Sequence, residues 1–244
     1  MKALKGILCL LAGAGLVVFM FFACFKAVVF NRSFINREMV KYDVASDTKM
    51  EEADLEALFD ETLKYLEGRR EDMVIDTVVG GVPREAFNEQ EKLHMVDVKG
   101  LFDAGYTIYY CAIGCCVIAL AALLLWKDER RGLAKGYCGA VIAAFIVFFV
   151  LAVGLGSLFA ADFDRYFVLF HEIFFDNDLW LMDPKKCLMI NMMPQNFFFD
   201  IVMKFGLMFL CAAFLVITLC VIVRKRLKAK LLAEEPAAAE IPEI

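Results

Sequence analysis

GYCGAVIAAFIVFFVLAVGLGSLFAA, residues Gly136–Ala161, is the stretch whose reading decides the fold. It carries no charge and is longer than the roughly 20 apolar residues that cross the hydrocarbon layer of a bilayer. Three comparable runs accompany it: Gly6–Phe25, Tyr106–Trp126 and Ile201–Val223, the last with one charge, Lys204, near its end. Within lipid each backbone N–H and C=O must be satisfied inside its own segment, so each run is expected to be a helix. The composition agrees: 61% of the 244 residues are hydrophobic and the mean hydropathy is +0.64. A soluble domain sits nearer 45–50% apolar. No charge lies deep in a span, which argues against a pump or coupled transporter.

The basic residues set the orientation. Lys2 and Lys5 precede the first run. Lys127, Arg130, Arg131 and Lys135 fill the loop between the second and third, and Arg224, Lys225, Arg226, Lys228 and Lys230 follow the fourth. These 11 of the 26 basic residues mark three cytoplasmic stretches. The chain then divides into span 1 with a cytoplasmic N-terminus (1–30), an extracytoplasmic cap segment (31–105), span 2 (106–126), a cytoplasmic loop (127–135), span 3 (136–161), a second cap segment (162–200), span 4 (201–223) and a cytoplasmic tail (224–244). Both cap segments are acidic, with 10 basic against 18 acidic residues in the first and 3 against 7 in the second. The expected class is an all-α integral membrane protein: a four-transmembrane-helix bundle under a mostly helical extracytoplasmic cap that has room for a short strand pair.

The first run reads as a retained anchor, since it continues through Phe19-Met20-Phe21-Phe22 with no Ala-x-Ala cleavage site after it. Eight of the nine cysteines fall within the runs, and Cys187 alone lies outside, so the cap has no disulfide framework. In the first cap segment, Thr48 with Glu51 reads as a capping box. It opens an amphipathic helix through Leu55, Leu58, Phe59, Thr62 and Leu66, with Gly68 as its stop. Met73–Val79 looks like a short strand ended by Gly80-Gly81-Val82-Pro83. Asn88 with Glu91 forms a second capping box, whose helix runs through His94 toward span 2. The tail Leu231–Ile244, rich in Ala, Glu and Pro, reads as disordered.

The second cap segment holds ten aromatics in 39 residues, more than an interfacial belt requires. Tyr166, Phe170, Phe174, Trp180 and Phe197 are candidates to line a pocket for an apolar or amphipathic ligand. The two histidines of the chain, His94 and His171, fall just outside a span on the same side. Imidazole both takes and gives a proton near neutral pH. Each has carboxylates at helical spacing: Asp97 for His94, and Asp178 for His171 with Glu172 adjacent. The same groups could ligate a metal, but Phe175 stands where the zinc-protease helix motif needs its second histidine. There is no nucleophile elbow, P-loop or dinucleotide fingerprint. Arg69-Arg70 sits in an acidic setting, which argues against nucleic acid.

The stretch Glu91-Lys92-Leu93-His94-Met95-Val96-Asp97-Val98-Lys99 resembles the H-x-x-D-V-K signature of a bacterial membrane family, the lipoprotein intramolecular transacylases. Phe170-His171-Glu172 through Asp178-Leu179-Trp180, followed by Met193-Pro194-Gln195-Asn196-Phe197-Phe198, resembles that family's second signature. The likeness covers almost the whole chain; only the acidic Ala/Pro tail has no match.

The resemblance implies a diacylated bacterial lipoprotein as substrate, held with membrane lipid. The sn-2 acyl chain would move from the glyceryl ester to the α-amine of the N-terminal cysteine, giving a lyso-form lipoprotein. His94 and His171 would be the catalytic pair, supported by Asp97, Lys99, Glu172 and Asp178, with no metal, cofactor or nucleophilic residue required and a monomer as the working state. An α-amine of pKa about 8 is mostly ammonium at neutral pH, so attack on an ester needs a base. His171 is the expected base and His94 the partner that orients or re-protonates, tuned by Asp97; the two rings are then expected within about 10 Å of each other. Two other readings remain at this point: a non-enzymatic cap that binds lipid or protein, and a metal-dependent lipid hydrolase.

Overall fold

The computed structural model describes residues 2–238. In chain order the helices are α1 (Lys2–Val29), α2 (Arg32–Lys41), α3 (Val44–Thr48), α4 (Glu52–Leu66), α5 (Glu89–Leu125), α6 (Arg130–Ala161), α7 (Phe163–Phe174), α8 (Met189–Met192) and α9 (Gln195–Ala238). A 3-10 turn, Lys127–Glu129, precedes α6, and strands β1 (Asp76–Val79) and β2 (Val82–Glu85) lie between α4 and α5. Among the described residues four helices, α1, α5, α6 and α9, are long and apolar enough to cross a membrane. The chain is thus an all-α multi-pass membrane protein whose spans belong to a bundle and whose remaining elements form a cap.

Among the described residues, 2–23, 108–157 and 208–238 form the bundle unit. Its helices approach closely because glycine removes the side chain where they meet. A Cβ on Gly13 would lie 2.8 Å from the Ala140 backbone, and one on Gly15 would lie 2.8 Å from Cys115 Cβ. Lipid tails are as apolar as a protein core, so such close backbone packing takes over the role that hydrophobic burial plays in water. Phe21, Phe145, Phe148 and Phe209 fill the space between α1, α6 and α9, with Phe148 and Phe209 ring centroids 4.7 Å apart. Phe145 and Val141 are fully buried.

Residues 24–107 and 158–207 form the cap unit. The expected amphipathic helix is α4, and Leu55, Leu58, Phe59, Thr62 and Leu66 are all buried. Gly68 closes it at φ +73°, a conformation that costs glycine little. Its start differs from the expected capping box. Thr48 is the last residue of α3, where its hydroxyl donates to the Val44 carbonyl at 2.7 Å. Lys49 turns left-handed at φ 56°, and the chain re-enters a helix at Glu52 with no side-chain cap. A buried threonine has satisfied itself locally before it could serve the next helix. The strand pair is antiparallel, Asp76 opposite Glu85 and Val79 opposite Val82. Gly80 (φ +61°) and Gly81 (φ +77°) supply the left-handed turn that a two-residue hairpin requires.

The second capping box forms as expected: Asn88 N–H donates to Glu91 at 2.8 Å and Glu91 N–H donates to Asn88 at 3.0 Å. It opens α5, whose 37 residues span about 55 Å against about 30 Å of hydrocarbon. The apolar run starts at Tyr106, so the turns around His94 lie outside the hydrocarbon. At the far end the disordered tail is corrected in part. The helix α9 continues through Leu231–Ala238, because Leu, Ala and Glu propagate a helix already nucleated within the span; residues 239–244 lie outside the described residues. All nine cysteines are free, and Cys187 is buried in the cap.

Candidate active site

His94 stands one turn into α5 beyond Glu91, and His171 lies in the last turn of α7. The chain brings their rings to a centroid distance of 6.2 Å, inclined by 28°, and each residue is only 8% exposed. His171 is boxed by aromatics: Trp180 stacks on it at 4.9 Å, Phe167 lies at 4.4 Å, Phe175 at 5.6 Å, and Phe170 meets it edge-on at 5.4 Å. Phe175 also meets His94 edge-on at 5.2 Å.

The hydrogen bonds define what each ring can do. His171 Nδ1 is 2.7 Å from the carbonyl oxygen of Phe167, one turn earlier in α7. A carbonyl only accepts, so Nδ1 carries the proton and Nε2 of the neutral ring keeps its lone pair. His94 Nδ1 is buried with no hydrogen-bond partner among the described residues. Burial pushes the His94 pKa down from 6.5 to about 4; the facing His171 adds to this and Asp97 opposes it. Burial also lowers the His171 pKa, against the pull of the Phe167 carbonyl. Both imidazoles are therefore neutral at pH 7, and of the two His171 is the one with a defined basic nitrogen.

The other expected site residues separate into groups. Asp97 reaches the site and is fixed there by Asn177 Nδ2 at 2.9 Å. Trp180 and Phe170 belong to the aromatic box, and the half-exposed Phe174 lies at 4.8 Å from Phe170 with its ring tilted by 41°. Tyr166 is half-buried beside the Arg165 guanidinium. Lys99 points elsewhere: five residues on from His94 it lies about 140° round the helix, engaged with Asp103 and the Tyr65 ring. Phe197 is 1% exposed and packs against Phe59 in the cap core. Glu172 is exposed. Asp178 does not share a helical face with His171, because α7 ends at Phe174 and Phe175 is extended. An Asx turn, Asn177 Oδ1 accepting from Leu179 N–H at 3.0 Å, takes over there. Among the described residues no three His, Cys, Asp or Glu side chains gather as a metal-binding group.

The start of α5 also does work that residue types alone did not disclose. Gln90 Nε2 donates to the carbonyls of Leu179 and Leu181 at 3.0 and 3.1 Å, on either side of Trp180. Asn88 Nδ2 donates to the Lys186 carbonyl at 3.2 Å. Glu91, 1% exposed, accepts from Met189 N–H at 2.6 Å while serving the capping box; burial raises its pKa, and the N–H groups it receives hold it down. The segment 179–189 is thus tied to the turn that carries His94, and it lays Trp180 on His171. The sequence signal was the polar run Asn88-Glu89-Gln90-Glu91, of which the capping box was only half the use.

Comparison with known proteins follows the same lines. No curated protein matches the chain in sequence. The membrane-integral lipoprotein intramolecular transacylase Lit from Bacillus cereus, solved in meso, superposes with a TM-score of 0.77 at 21% identity, over 94% of this chain and all of that one. Two forms of the same protein with a histidine replaced, by arginine and by alanine, superpose at 0.72 and 0.73, each at 21% identity. They cover 94% and 93% of this chain and 96% and 97% of theirs. Residues 10–198 match the family described as lipoprotein intramolecular transacylase Lit. That span takes in the first three membrane helices, both histidines and nearly all of the cap, and the chain belongs to the lipoprotein intramolecular transacylase family of membrane enzymes.

Proposed function

We propose that the enzyme moves the sn-2 acyl chain of a diacylglyceryl lipoprotein onto the α-amine of its N-terminal cysteine, with His171 as general base and acid and His94 as hydrogen-bonding partner. The observation that carries this reading is the pair of facing imidazoles, one with Nδ1–H committed to a carbonyl and Nε2 open. The neutral amine attacks the ester carbonyl carbon while Nε2 takes its proton. The tetrahedral adduct then breaks the bond to the glyceryl oxygen, and the imidazolium returns the proton to that oxygen. An amide forms, an ester is lost and a hydroxyl appears, with atoms and charge balanced. His94, neutral and too weakly basic to compete, donates toward the carbonyl oxygen as charge builds there. The positive form of His171 has the face of Trp180 to lie on, which favours it only at the moment it exists.

Donor and acceptor belong to one molecule, so alignment supplies much of the acceleration; well-oriented intramolecular reactions reach effective molarities of roughly 10⁵ M or more. The aromatic box keeps water from the ester, which otherwise would be hydrolysed. Both histidines come from one chain, so a monomer suffices. The basic stretches 1–5, 127–135 and 224–230 orient both termini to the cytoplasm and the histidines to the outer side of the bacterial membrane.

The test is mass spectrometry of a tryptic N-terminal lipopeptide from a host whose lipoproteins are otherwise diacylated with a free amine. Fragments with one acyl chain moved to the amine, at unchanged total mass, are expected, and both His94→Ala and His171→Ala abolish the change. An unmodified peptide refutes the reading. A peptide lighter by one acyl chain, with activity lost to a chelator, establishes hydrolysis instead.

A further inference from the structure

A sizeable cavity lies away from the histidines. It lies in the bundle unit, in a groove between the first turns of α1 and α6, with a volume of about 1030 Å³. Its mouth is bordered by Lys5, Lys127 and Arg131, with Glu129 ion-paired to Lys5. Its floor is made of small residues on one face of α6, among them Gly136, Ala140 and Ala143.

The groove has a structural cause. The two helices touch where Gly13 meets the Ala140 backbone and where Gly136 faces Cys9 Sγ, at 3.1 Å from the position of an added Cβ. Cys9 Sγ also approaches the Leu133 carbonyl at 3.8 Å. Toward the loop they part, and an added Cβ on Gly6 or Gly132 would meet nothing within 4 Å. Gly136 and Ala140 therefore pack against α1 and also border the open space beside that contact. From Arg131 to Ala143 the floor descends about 18 Å along the helix, from the interface well into hydrocarbon.

We propose that this groove binds an anionic phospholipid of the leaflet on the loop side, its phosphate at Lys127 and Arg131 and an acyl chain along Gly136, Ala140 and Ala143. Charge complementarity selects the occupant. Three cations, Lys5, Lys127 and Arg131, line the cavity against the one carboxylate of Glu129, so its mouth carries net positive charge above an apolar floor. An apolar floor at membrane depth holds no water, so a free anion would fill only the mouth, whereas a lipid fills both parts. The site is separate from the histidines and does not depend on how they work; the inner leaflet is meant if the orientation given above holds.

The experiment uses the full-length protein in mild detergent, with native mass spectrometry to read lipid retained from equimolar dioleoyl phosphatidylglycerol and dioleoyl phosphatidylcholine. Each cation near an anionic headgroup contributes roughly a factor of five, so a preference for the glycerol lipid of about tenfold or more is expected. The double variant Lys127→Gln/Arg131→Gln brings that preference to near unity, through a loss of phosphatidylglycerol larger than any loss of phosphatidylcholine. Ala143→Phe, which fills the floor, lowers retention of both lipids. Turnover of a diacyl lipopeptide by both variants shows that they are folded. Equal retention of the two lipids by the unaltered protein, or an undiminished preference in the double variant, overturns the proposal. So does displacement of the lipid by millimolar inorganic phosphate, which marks a simple anion site. A dimer that Ala143→Phe dissociates assigns the groove to a second copy instead.

Discussion

Replacing His94 with glutamine should make the cap resistant to mild acid. In the folded protein the His94 pKa lies at about 4 in place of 6.5. At about 1.36 kcal/mol for each pH unit, the protonated ring is disfavoured by on the order of 3 kcal/mol. A histidine whose pKa is depressed by folding contributes stability that is complete above 6.5 and is lost as the pH falls through the folded value. From pH 7 to pH 4 the opened form of the cap should therefore gain by about a hundredfold. Cys187 reports that opening, because it is 2% exposed and sits in the segment that Asn88 and Glu91 tie down. Its alkylation by a charged maleimide, corrected for the rate of the fully unfolded thiol at each pH, gives the open fraction. His171, also depressed, leaves a shallower acid dependence in His94→Gln. If the two proteins show the same hundredfold rise, or if neither shows any, the burial of His94 does not carry the cost assigned to it.

On the proposed mechanism, Trp180→Ala removes the face that stacks on His171 at 4.9 Å and would support its positive form. Loss of about 1.5–2 kcal/mol lowers kcat by roughly tenfold to thirtyfold, Trp180→Phe retains most of the rate, and unchanged kcat in Trp180→Ala refutes the role. In the bundle, Gly13→Ala forces α1 away from Ala140 and costs about 1–3 kcal/mol. This is read as a lower thermal midpoint in detergent, whereas Gly114→Ala, with nothing within 4 Å of an added Cβ, leaves the midpoint where it was.

The parts of the molecule that follow from one-dimensional patterns were legible before any coordinates. Apolar length alone marks the four long helices, because a chain in lipid has few alternatives. The spacing of Leu55, Leu58, Phe59 and Leu66 predicts α4, and the Asn88–Glu91 exchange predicts the start of α5. What escaped depends on choices made in three dimensions. Thr48 had two ways to satisfy its hydroxyl and took the helix behind it. Asp178 had the right spacing for the His171 face, but the helix stopped four residues short. The short helices α2, α3 and α8 are held by tertiary burial of Phe34, Ile35, Val44, Met189 and Met192, which no local period announces. At the site, the residue types His94, His171, Asp97 and Trp180 were visible. The ties made by Gln90 and Asn177 go largely to backbone or across the chain, and backbone groups have no letter in a sequence.

The bond from His171 Nδ1 to the Phe167 carbonyl has one more consequence. In many enzymes a carboxylate side chain decides which nitrogen of a histidine is basic, and one substitution can undo that choice. Here the choice is made by a peptide group within a single helical turn. No change of side chain can delete that acceptor, short of breaking the helix. Natural variation at position 167 can therefore alter how tightly the ring is packed while the nitrogen left with a lone pair stays the same.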